Sequence, residues 1–191
     1  MKSNRLKSIL MRPEISTFIM FVVIMTAFFI ANDKFLSPRN IRIVMGITPE
    51  YIIVAIGIAI LMISGEFDLS VGSVFALVPM TMVQLVHQGI PPWFAIALGL
   101  SIGIAVGFVN GFITIRFGIP SFIATLGMLY IARSLTTVAT GGFPPPFPHE
   151  LPNELFVFQF EVFRASLFWM LGVAFVAGIM LHRSNLGNWI Y

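Results

Sequence analysis

The stretch "ISGEFDLSVGSVFAL", residues 63–77, places two carboxylates, three serines and two glycines between two apolar runs. Charge is scarce in the chain, since Asp, Glu, Lys and Arg make up 10% of the 191 residues and hydrophobic residues make up 58%. A charge beside apolar segments is costly unless it is paired or solvated. Glu66 and Asp68 therefore need a structural or functional reason to be there.

The composition as a whole indicates a membrane protein. The mean hydropathy is +0.95, and the chain contains 20 Phe and 11 Met. These residues leave too few polar side chains to cover a soluble domain, whereas a surface in contact with lipid is apolar. The net charge is only +3, which fits membrane orientation better than nucleic-acid binding. With no cysteine, disulfides and thiolate metal sites are excluded.

Six apolar segments predict an all-α, polytopic bundle of transmembrane helices. They cover residues 15–31, 51–64, 71–86, 93–115, 119–139 and 166–181. A helix needs about 20 residues to cross the hydrocarbon layer, so the second and third segments are short. They flank the polar stretch, which predicts discontinuous segments around residues 64–73, as in transporters. A tight hairpin at the membrane surface is the alternative.

The first segment follows a basic leader that carries Lys2, Arg5, Lys7 and Arg12. A secretory signal peptide also begins this way, but the "ANDKFLSP" that follows has no clear small-x-small cleavage site. We expect a retained helix with the N-terminus in the cytoplasm, since the opposite topology leaves these four cations outside.

This orientation assigns the remaining loops to the two sides of the membrane. Arg116 and Arg183 then lie inside, together with the polar stretch, and Lys34, Arg39, Arg42 and Arg164 lie outside. The proline-rich connector "GGFPPPFPHELPNELFVFQFEVFRA", with Glu150, Glu154 and Glu161, lies outside too. Its "LFVFQFEVF" part predicts a short strand or an interfacial segment.

The polar stretch contains several candidates for local structural roles. Asp68, Ser70 and Ser73 are placed to cap the helix that follows, because Asp or Ser at an N-cap accepts hydrogen bonds from first-turn amides. Gly65 and Gly72 permit tight turns or close helix packing.

Glu66 is less easily explained by capping. It lies in headgroup water, pairs with a cation such as Arg116, or faces a transport pathway. A direct role of the acidic pair in gating, or in contact with a cytoplasmic partner, is the functional alternative to capping.

Polar residues within the fourth and fifth segments are further candidates. Asn110 is placed to donate a hydrogen bond between helices or simply to pack, and Thr125 and Gly127 are small packing positions. Arg133 either faces a partner or water inside the membrane, or extends to the outer interface.

No catalytic or metal-binding pattern is present. His87, His149 and His182 have no metal-ligand spacing, and the chain contains neither a phosphate-binding GxxxxGK[ST] loop nor a nucleophile elbow. We therefore expect no enzyme activity, no metal, no bound cofactor and no ATP hydrolysis by this chain itself.

Two long motifs resemble a known family. "SGEFDLSVGSVFAL" resembles the GG-I-D-L-S-V-G-S signature of the membrane permeases of ribose-type (branched-chain/monosaccharide) ABC importers. "NGFITIRFGIPSFIATLGMLYIARSL" is similar to that family's N-G…P-x-F-I-x-T-L-G-x-x-x-I-x-R-G-L segment, and "FLSPRNI" and "LGNWIY" match in register. The chain departs at Glu66, Phe67 and Ser134, where the family has Gly, Ile and Gly.

The resemblance implies a permease of about ten helices in the inner membrane of a bacterial cell. Such a permease pairs with a second permease subunit, as a homodimer or heterodimer. Two cytoplasmic ATPase subunits bind ATP and Mg. A periplasmic binding protein delivers a sugar or related hydroxylated solute. The permease itself contacts membrane lipid but no nucleic acid. Because the family's ATPase-coupling loop begins where this chain ends, we expect residues 1–191 to be the N-terminal part of one permease domain.

The resemblance also implies that residues 65–73 form a broken or re-entrant element near the central path of the dimer. The candidate path or gating residues are Gly65, Glu66, Asp68, Ser70, Gly72, Ser73, Asn110, Thr125 and Arg133. A part of an ion-coupled secondary transporter, with Glu66, Asp68 and Arg133 as coupling groups, and a non-transporting membrane scaffold are the competing functions.

Overall fold

The computed structural model describes residues 13–152, 158–160 and 163–190. The leader cations Lys2, Arg5, Lys7 and Arg12, and Glu154 and Glu161 of the connector, lie outside the described residues. The elements are α1 (Pro13–Ala31), α2 (Pro38–Ile63), α3 (Val71–His87), α4 (Pro92–Phe117), α5 (Ser121–Thr140), β1 (Gln159–Phe160), β2 (Phe163–Arg164), α6 (Ser166–Arg183) and α7 (Asn185–Ile190).

The helices confirm the prediction of a polytopic membrane bundle. In the described part of the chain, α2, α4, α5 and α6 are long and apolar enough to cross a membrane. Two shorter apolar helices, Ile15–Ala31 within α1 and Val71–His87, complete the six predicted segments. The chain between α2 and α3 is non-helical, which confirms the break predicted around residues 64–73.

Helix α2 is much longer than the predicted second segment. It has 26 residues and continues through Pro49, whereas hydropathy alone predicted a start near Tyr51. The Ser37 hydroxyl accepts the Asn40 amide at 3.3 Å, so Ser37 caps the helix and Pro38 occupies its first position. The break therefore follows a full-length helix and not a short one.

The described chain forms two compact units. One comprises the described residues within Met1–Thr48 and Glu161–Phe163; in it, the rings of Phe28 and Phe35 stack at 5.8 Å across the turn after α1. The other comprises Pro49–Phe160 with Arg164–Tyr191. It contains the polar stretch and all the candidate site residues.

In this second unit, α3 packs against both α4 and α5, which also contact each other. Helix α4 runs antiparallel to α3, because Gly99 lies against Met82 and Asn110 bonds to Ser70 near the start of α3. Helix α5 runs parallel to α3, since its N-terminal Thr125 bonds to Leu69 and Ala139 near its end accepts a hydrogen bond from Gln84 at 2.9 Å. The three helices form a continuous up-down-up unit.

The distribution of polar and apolar side chains is opposite to that of a soluble protein. Large apolar side chains such as Ile104 and Phe108 are more than 70% exposed. Within the described residues, the buried polar side chains are those of Ser70, Asn110, Thr125 and Ser166. A protein in lipid has this arrangement, because lipid offers no hydrogen-bond partners and polar groups must therefore be bonded inside the protein.

The proline-rich connector begins without a helix, as predicted, since residues 141–152 are irregular. The ring Nε2 of His87, at the end of α3, lies 2.9 Å from the Pro146 carbonyl oxygen. Part of "LFVFQFEVF" forms β1, which pairs with β2, so the strand alternative is confirmed for these residues. A salt bridge of 3.6 Å then joins Arg164 to Glu50.

The contact between α3 and α4 can be tested at Gly99. A Cβ atom at this position would collide with the Met82 side chain. Gly99→Ala is therefore expected to lower the free energy of unfolding by about 1–3 kcal/mol, through overpacking. The measurement is thermal unfolding of the purified protein in detergent.

Gly107 is the matched control on the same helix, because a Cβ there would meet nothing within 4 Å. Gly107→Ala is expected to be neutral or to stabilise the helix by up to about 1 kcal/mol. Equal destabilisation by both substitutions would contradict the close approach at Gly99.

Candidate functional site

The break between α2 and α3 begins with a self-contained helix stop. The Gly65 amide donates to the Met62 carbonyl at 3.0 Å, and the Glu66 amide donates to the Leu61 carbonyl at 3.2 Å. This pair of bonds is a Schellman motif, which requires a left-handed residue, and Gly65 supplies it with φ of 82°. The prediction that Gly65 permits a tight turn is confirmed.

The next backbone amides are bonded by side chains of α5. The Phe67 amide donates to the Ser121 hydroxyl at 3.0 Å, and the Leu69 amide donates to the Thr125 hydroxyl at 3.0 Å. The Thr125 hydroxyl in turn donates to the Ser121 carbonyl at 2.7 Å. An extended stretch has no hydrogen bonds of its own, so these two side chains take the place of a neighbouring strand.

The break ends at a buried chain of polar side chains. The Asp68 carboxylate accepts the Ser70 amide at 2.7 Å and the Ser70 hydroxyl at 2.6 Å. The Ser70 oxygen then accepts a hydrogen bond from the Asn110 amide group at 3.0 Å. We call Asp68, Ser70, Asn110 and Thr125 the polar hub, because together they join the break to both α4 and α5.

The hub is the most deeply buried polar part of the described chain. Ser70 is 0% exposed, Thr125 is 3% exposed and Asn110 is 5% exposed. Hydrogen bonds to a charged acceptor contribute about 1.5–3 kcal/mol each, and burial makes the loss of either partner costly. The hub therefore stabilises one arrangement of α3, α4 and α5.

The predicted capping roles are only partly correct. Ser70 is the N-cap residue of α3, but its side chain accepts no hydrogen bond from the first turn; instead its hydroxyl donates to Asp68. Asp68 bonds to Ser70 itself, in the two-residue turn typical of Asp. Ser73 lies inside the helix and does not cap it. The capping prediction is wrong for Ser70 and Ser73, because Asp68 bonds to the Ser70 hydroxyl and Ser73 lies beyond the cap position.

Asn110 is a hydrogen-bond donor between helices, which was one of its two predicted roles. Its side-chain oxygen is buried and has no partner within the described residues. Thr125, predicted as a small packing residue, instead accepts the Leu69 amide. The sequence could not show this bond, because the two residues are 56 positions apart.

Glu66 lies outside the hub. Its side chain is half-buried, and in the part of the chain that the structure describes it forms no salt bridge, so the structure does not support the alternative in which Glu66 pairs with a cation such as Arg116. The side chains along the break alternate: Glu66 and Asp68 are half-buried, while Phe67 and Leu69 are 52% and 44% exposed. The carboxylates thus lie on the inner side of the break.

Gly72, Ser73 and Arg133 come together elsewhere, along a groove between α3 and α5. The groove has a volume of about 400 Å³. A Cβ atom added at Gly72 would meet nothing within 4 Å, and the φ of Gly72 is not positive. The prediction that Gly72 permits a turn or close packing is therefore wrong. Gly72 lies at the groove wall instead. Among the described residues, Arg133 has no salt-bridge partner.

Four hydroxyl side chains of these two sites were not predicted from the sequence. Ser121 bonds to the break, and Thr136, Thr137 and Thr140 line the groove beside Arg133. The threonines had a usable signal, since they lie three, four and seven residues after Arg133 and therefore share its face of the helix. Ser121 had none beyond its position at a helix start.

The bond between Thr125 and the break provides a test of the hub. Thr125→Val keeps the side-chain shape but removes the hydroxyl that accepts the Leu69 amide. An amide left without a partner costs about 1–3 kcal/mol, so we expect the free energy of unfolding in detergent to fall by this amount. Thr81→Val is the control, because the Thr81 hydroxyl bonds only within its own helix, to Leu77. Equal effects of the two substitutions would show that the Leu69 bond is unimportant.

Substitutions of Asp68 separate its geometry from its charge. Asp68→Asn keeps an oxygen that can accept both Ser70 donors, whereas Asp68→Ala leaves the buried Ser70 amide and hydroxyl without that acceptor. We expect Ala to lower thermal stability clearly more than Asn does, by about 1–3 kcal/mol for each lost partner. If Asn were as damaging as Ala, the negative charge and not the hydrogen-bond geometry would be essential.

Comparisons with known proteins agree with the fold and the motifs. The family model described as "Branched-chain amino acid transport system / permease component" matches residues 40–191. The chain is 30% identical to a xylose/arabinose import permease protein of Sulfolobus acidocaldarius over an alignment of 194 residues. The alignment covers 95% of this chain and 52% of the relative.

Two further relatives are also import permeases. A ribose import permease protein of Escherichia coli (strain K12) is 30% identical over 165 residues, covering 84% of this chain and 51% of the relative. An autoinducer 2 import system permease protein of Enterobacter sp. (strain 638) is 27% identical over 137 residues, covering 72% of this chain and 40% of the relative. No solved structure matches.

The chain spans about half the length of the curated relatives it matches. Family members are permease components, a class of transport proteins and not a class of enzymes. The family model covers most of the chain, and the described helices are those of a multi-pass membrane protein. The resemblance to ribose-type permeases is thus confirmed, and the chain belongs to the branched-chain amino acid transport system / permease component family.

Proposed function

We propose that this chain is a transmembrane permease subunit of an ABC importer for a monosaccharide, such as ribose, xylose or rhamnose, or for a related hydroxylated solute. The observation that carries the proposal is the family match over residues 40–191, joined to relatives that import xylose, arabinose, ribose and autoinducer 2. All of these named sugars are neutral and rich in hydroxyl groups.

The energy for transport comes from other subunits in this proposal. The sequence contains no phosphate-binding loop, so ATP and Mg bind to two partner ATPase subunits in the cytoplasm. A periplasmic binding protein delivers the solute, and a second permease subunit completes the path. The N-terminus lies in the cytoplasm of a bacterial cell, and the chain crosses the inner membrane; its cationic leader supports this orientation.

The polar hub gives the three-helix unit a mechanical role. Asn110 joins Ser70 to α4, and Thr125 joins Leu69 to α5, so α3 cannot move away from either neighbour without breaking buried hydrogen bonds. Alternating access in transporters is largely a motion of rigid helix groups against each other. We infer that α3, α4 and α5 move as one such group when the ATPase closes.

The bonds of Asp68 favour this function over ion coupling. The competing ion-coupled transporter would use Asp68 as a coupling group that takes up and releases the ion, whereas one Asp68 oxygen already accepts two short hydrogen bonds from Ser70. A permease for neutral sugars has no such requirement. Asp68 then serves the structure of the break, and the route needs only weakly polar groups.

Uptake into vesicles tests the proposal. The native membrane complex, purified through an affinity tag on this chain, is reconstituted and supplied with its periplasmic binding protein and with radiolabelled D-ribose, D-xylose or L-leucine. We expect uptake of a pentose that requires both ATP and the ATPase subunits, because the permease itself supplies no energy source. Replacing the phosphate-binding lysine of the ATPase should abolish this uptake.

Three results would overturn the proposal. Pentose uptake driven by a proton gradient without ATP would indicate an ion-coupled transporter. ATP-dependent uptake of leucine without any sugar would instead assign the amino acid substrate named in the family description. Absence of ATPase subunits from the purified complex would exclude an ABC importer.

A further inference from the structure

Two grooves of different chemistry flank α3. The groove against α4 has a volume of about 630 Å³ and is lined mainly by apolar residues such as Val74, Phe75 and Val78. The groove against α5 has a volume of about 400 Å³, which lies within the range of about 300–1,000 Å³ for small-molecule sites. Its polar wall is formed by Ser73, Arg133, Thr136, Thr137 and Thr140, and we call it the threonine groove.

The polar wall follows one face of α5. Residues 133, 136, 137 and 140 are spaced by three, four and seven positions, so their side chains are neighbours on the helix surface. At 1.5 Å per residue they extend for about 10 Å along the helix axis. The other face of the same helix is apolar and exposed, with Leu135 at 54% and Val138 at 81%. The charge of Arg133 on this face of a membrane helix is costly unless the guanidinium contacts water or a polar group.

The hydrogen bonds of the wall define what it can bind. Each threonine hydroxyl donates its proton to its own helix: Thr136 to Ala132 at 2.8 Å, Thr137 to Arg133 at 3.0 Å and Thr140 to Thr136 at 2.9 Å. A hydroxyl has one proton and two lone pairs, so these three oxygens face the groove as acceptors only. Within the described residues, the Arg133 guanidinium and the Ser73 hydroxyl make no hydrogen bond.

A ligand that fits this wall must donate to the threonine oxygens and accept from Arg133. Phosphate dianions and carboxylates have no proton to donate, so they fit Arg133 but not the row of acceptors. The carboxylate of a branched-chain amino acid would accept from Arg133 and its ammonium group would donate to a neighbouring threonine oxygen, but its apolar remainder would leave the other threonine oxygens without a donor. A sugar carries hydroxyl groups along its whole length, and each hydroxyl both donates and accepts.

We propose that the threonine groove is a sugar-binding subsite on the solute's route. Arg133 donates to two adjacent hydroxyl oxygens of the sugar, and the oxygens of Thr136, Thr137 and Thr140 accept its hydroxyl protons. This inference rests on the proposed function, because it assigns the wall to the transported solute. It adds a chemical reason for Arg133 within a membrane helix, which the polar hub does not provide.

A single introduced cysteine tests contact with the sugar directly. The chain has no cysteine of its own, so Thr137→Cys provides one thiol of this chain, in the groove. The native complex carrying this variant is labelled with N-ethylmaleimide, with and without D-ribose or D-xylose. We expect labelling to slow about tenfold at a sugar concentration ten times the dissociation constant, because only the unoccupied fraction reacts.

The same protection assay tests the role of Arg133. Adding Arg133→Gln to Thr137→Cys removes the guanidinium, and we expect protection to require a much higher sugar concentration. Unchanged protection in the double variant, or labelling of Thr137→Cys that no sugar slows, would overturn the subsite. Protection by gluconate or leucine and not by pentoses would replace the sugar by an anion or an amino acid, and would overturn the assignment as well.

Uptake measurements separate this inference from the proposed function. Thr137→Val removes one acceptor and is expected to lower ATP-dependent pentose uptake about three- to tenfold, the effect of one hydrogen bond. Thr26→Val is the matched control, since the Thr26 hydroxyl makes the same type of bond to its own helix, at 2.7 Å, in α1. If neither substitution changes the ATP-dependent uptake, the subsite is overturned and the importer stands. If the unmodified complex takes up no monosaccharide or related hydroxylated solute with ATP, both proposals are overturned.

Discussion

The arrangement of α3, α4 and α5 depends on how the break between α2 and α3 satisfies the hydrogen bonds of its backbone. Backbone groups that are shielded from water and lie outside a helix must be bonded by other protein groups. Ser121 and Thr125 accept the amides of Phe67 and Leu69, and Asp68 accepts the amide of Ser70. The position of α5 beside α3 follows from these bonds, because they place the start of α5 against the break.

The two carboxylates of the break have different relations to this network. Asp68 is part of it, and its charge strengthens both bonds from Ser70. Glu66 contributes its backbone amide to the end of α2, while its side chain remains outside the hub. The scarcity of charge in the chain is thus consistent with a structural use of Asp68. The Asp68 carboxylate accepts the Ser70 amide and hydroxyl, and the Ser70 oxygen accepts a hydrogen bond from Asn110 on α4.

Much of the fold was predictable, because helices in lipid are long apolar segments and breaks require glycine and polar residues. The start of α2 was not predicted from hydropathy, although Ser37 followed by Pro38 is a helix-start pattern. The residues of the hub were all named as candidates, but their pairing was not predictable. Asn110 and Ser70 are 40 positions apart, and nothing local to either residue identifies the other.

The alternation along the break makes its length as important as its composition. Glu66 and Asp68 are half-buried while Phe67 and Leu69 are exposed. This is the two-residue periodicity of a strand, but with the polar side chains on the inner side and the apolar side chains on the outer side. Inserting or deleting one residue would exchange the two sets, turning the carboxylates outward and the amides away from Ser121 and Thr125. Point substitutions here are therefore expected to be better tolerated over evolution than insertions or deletions, so this connection should behave as a fixed spacer and not as a loop.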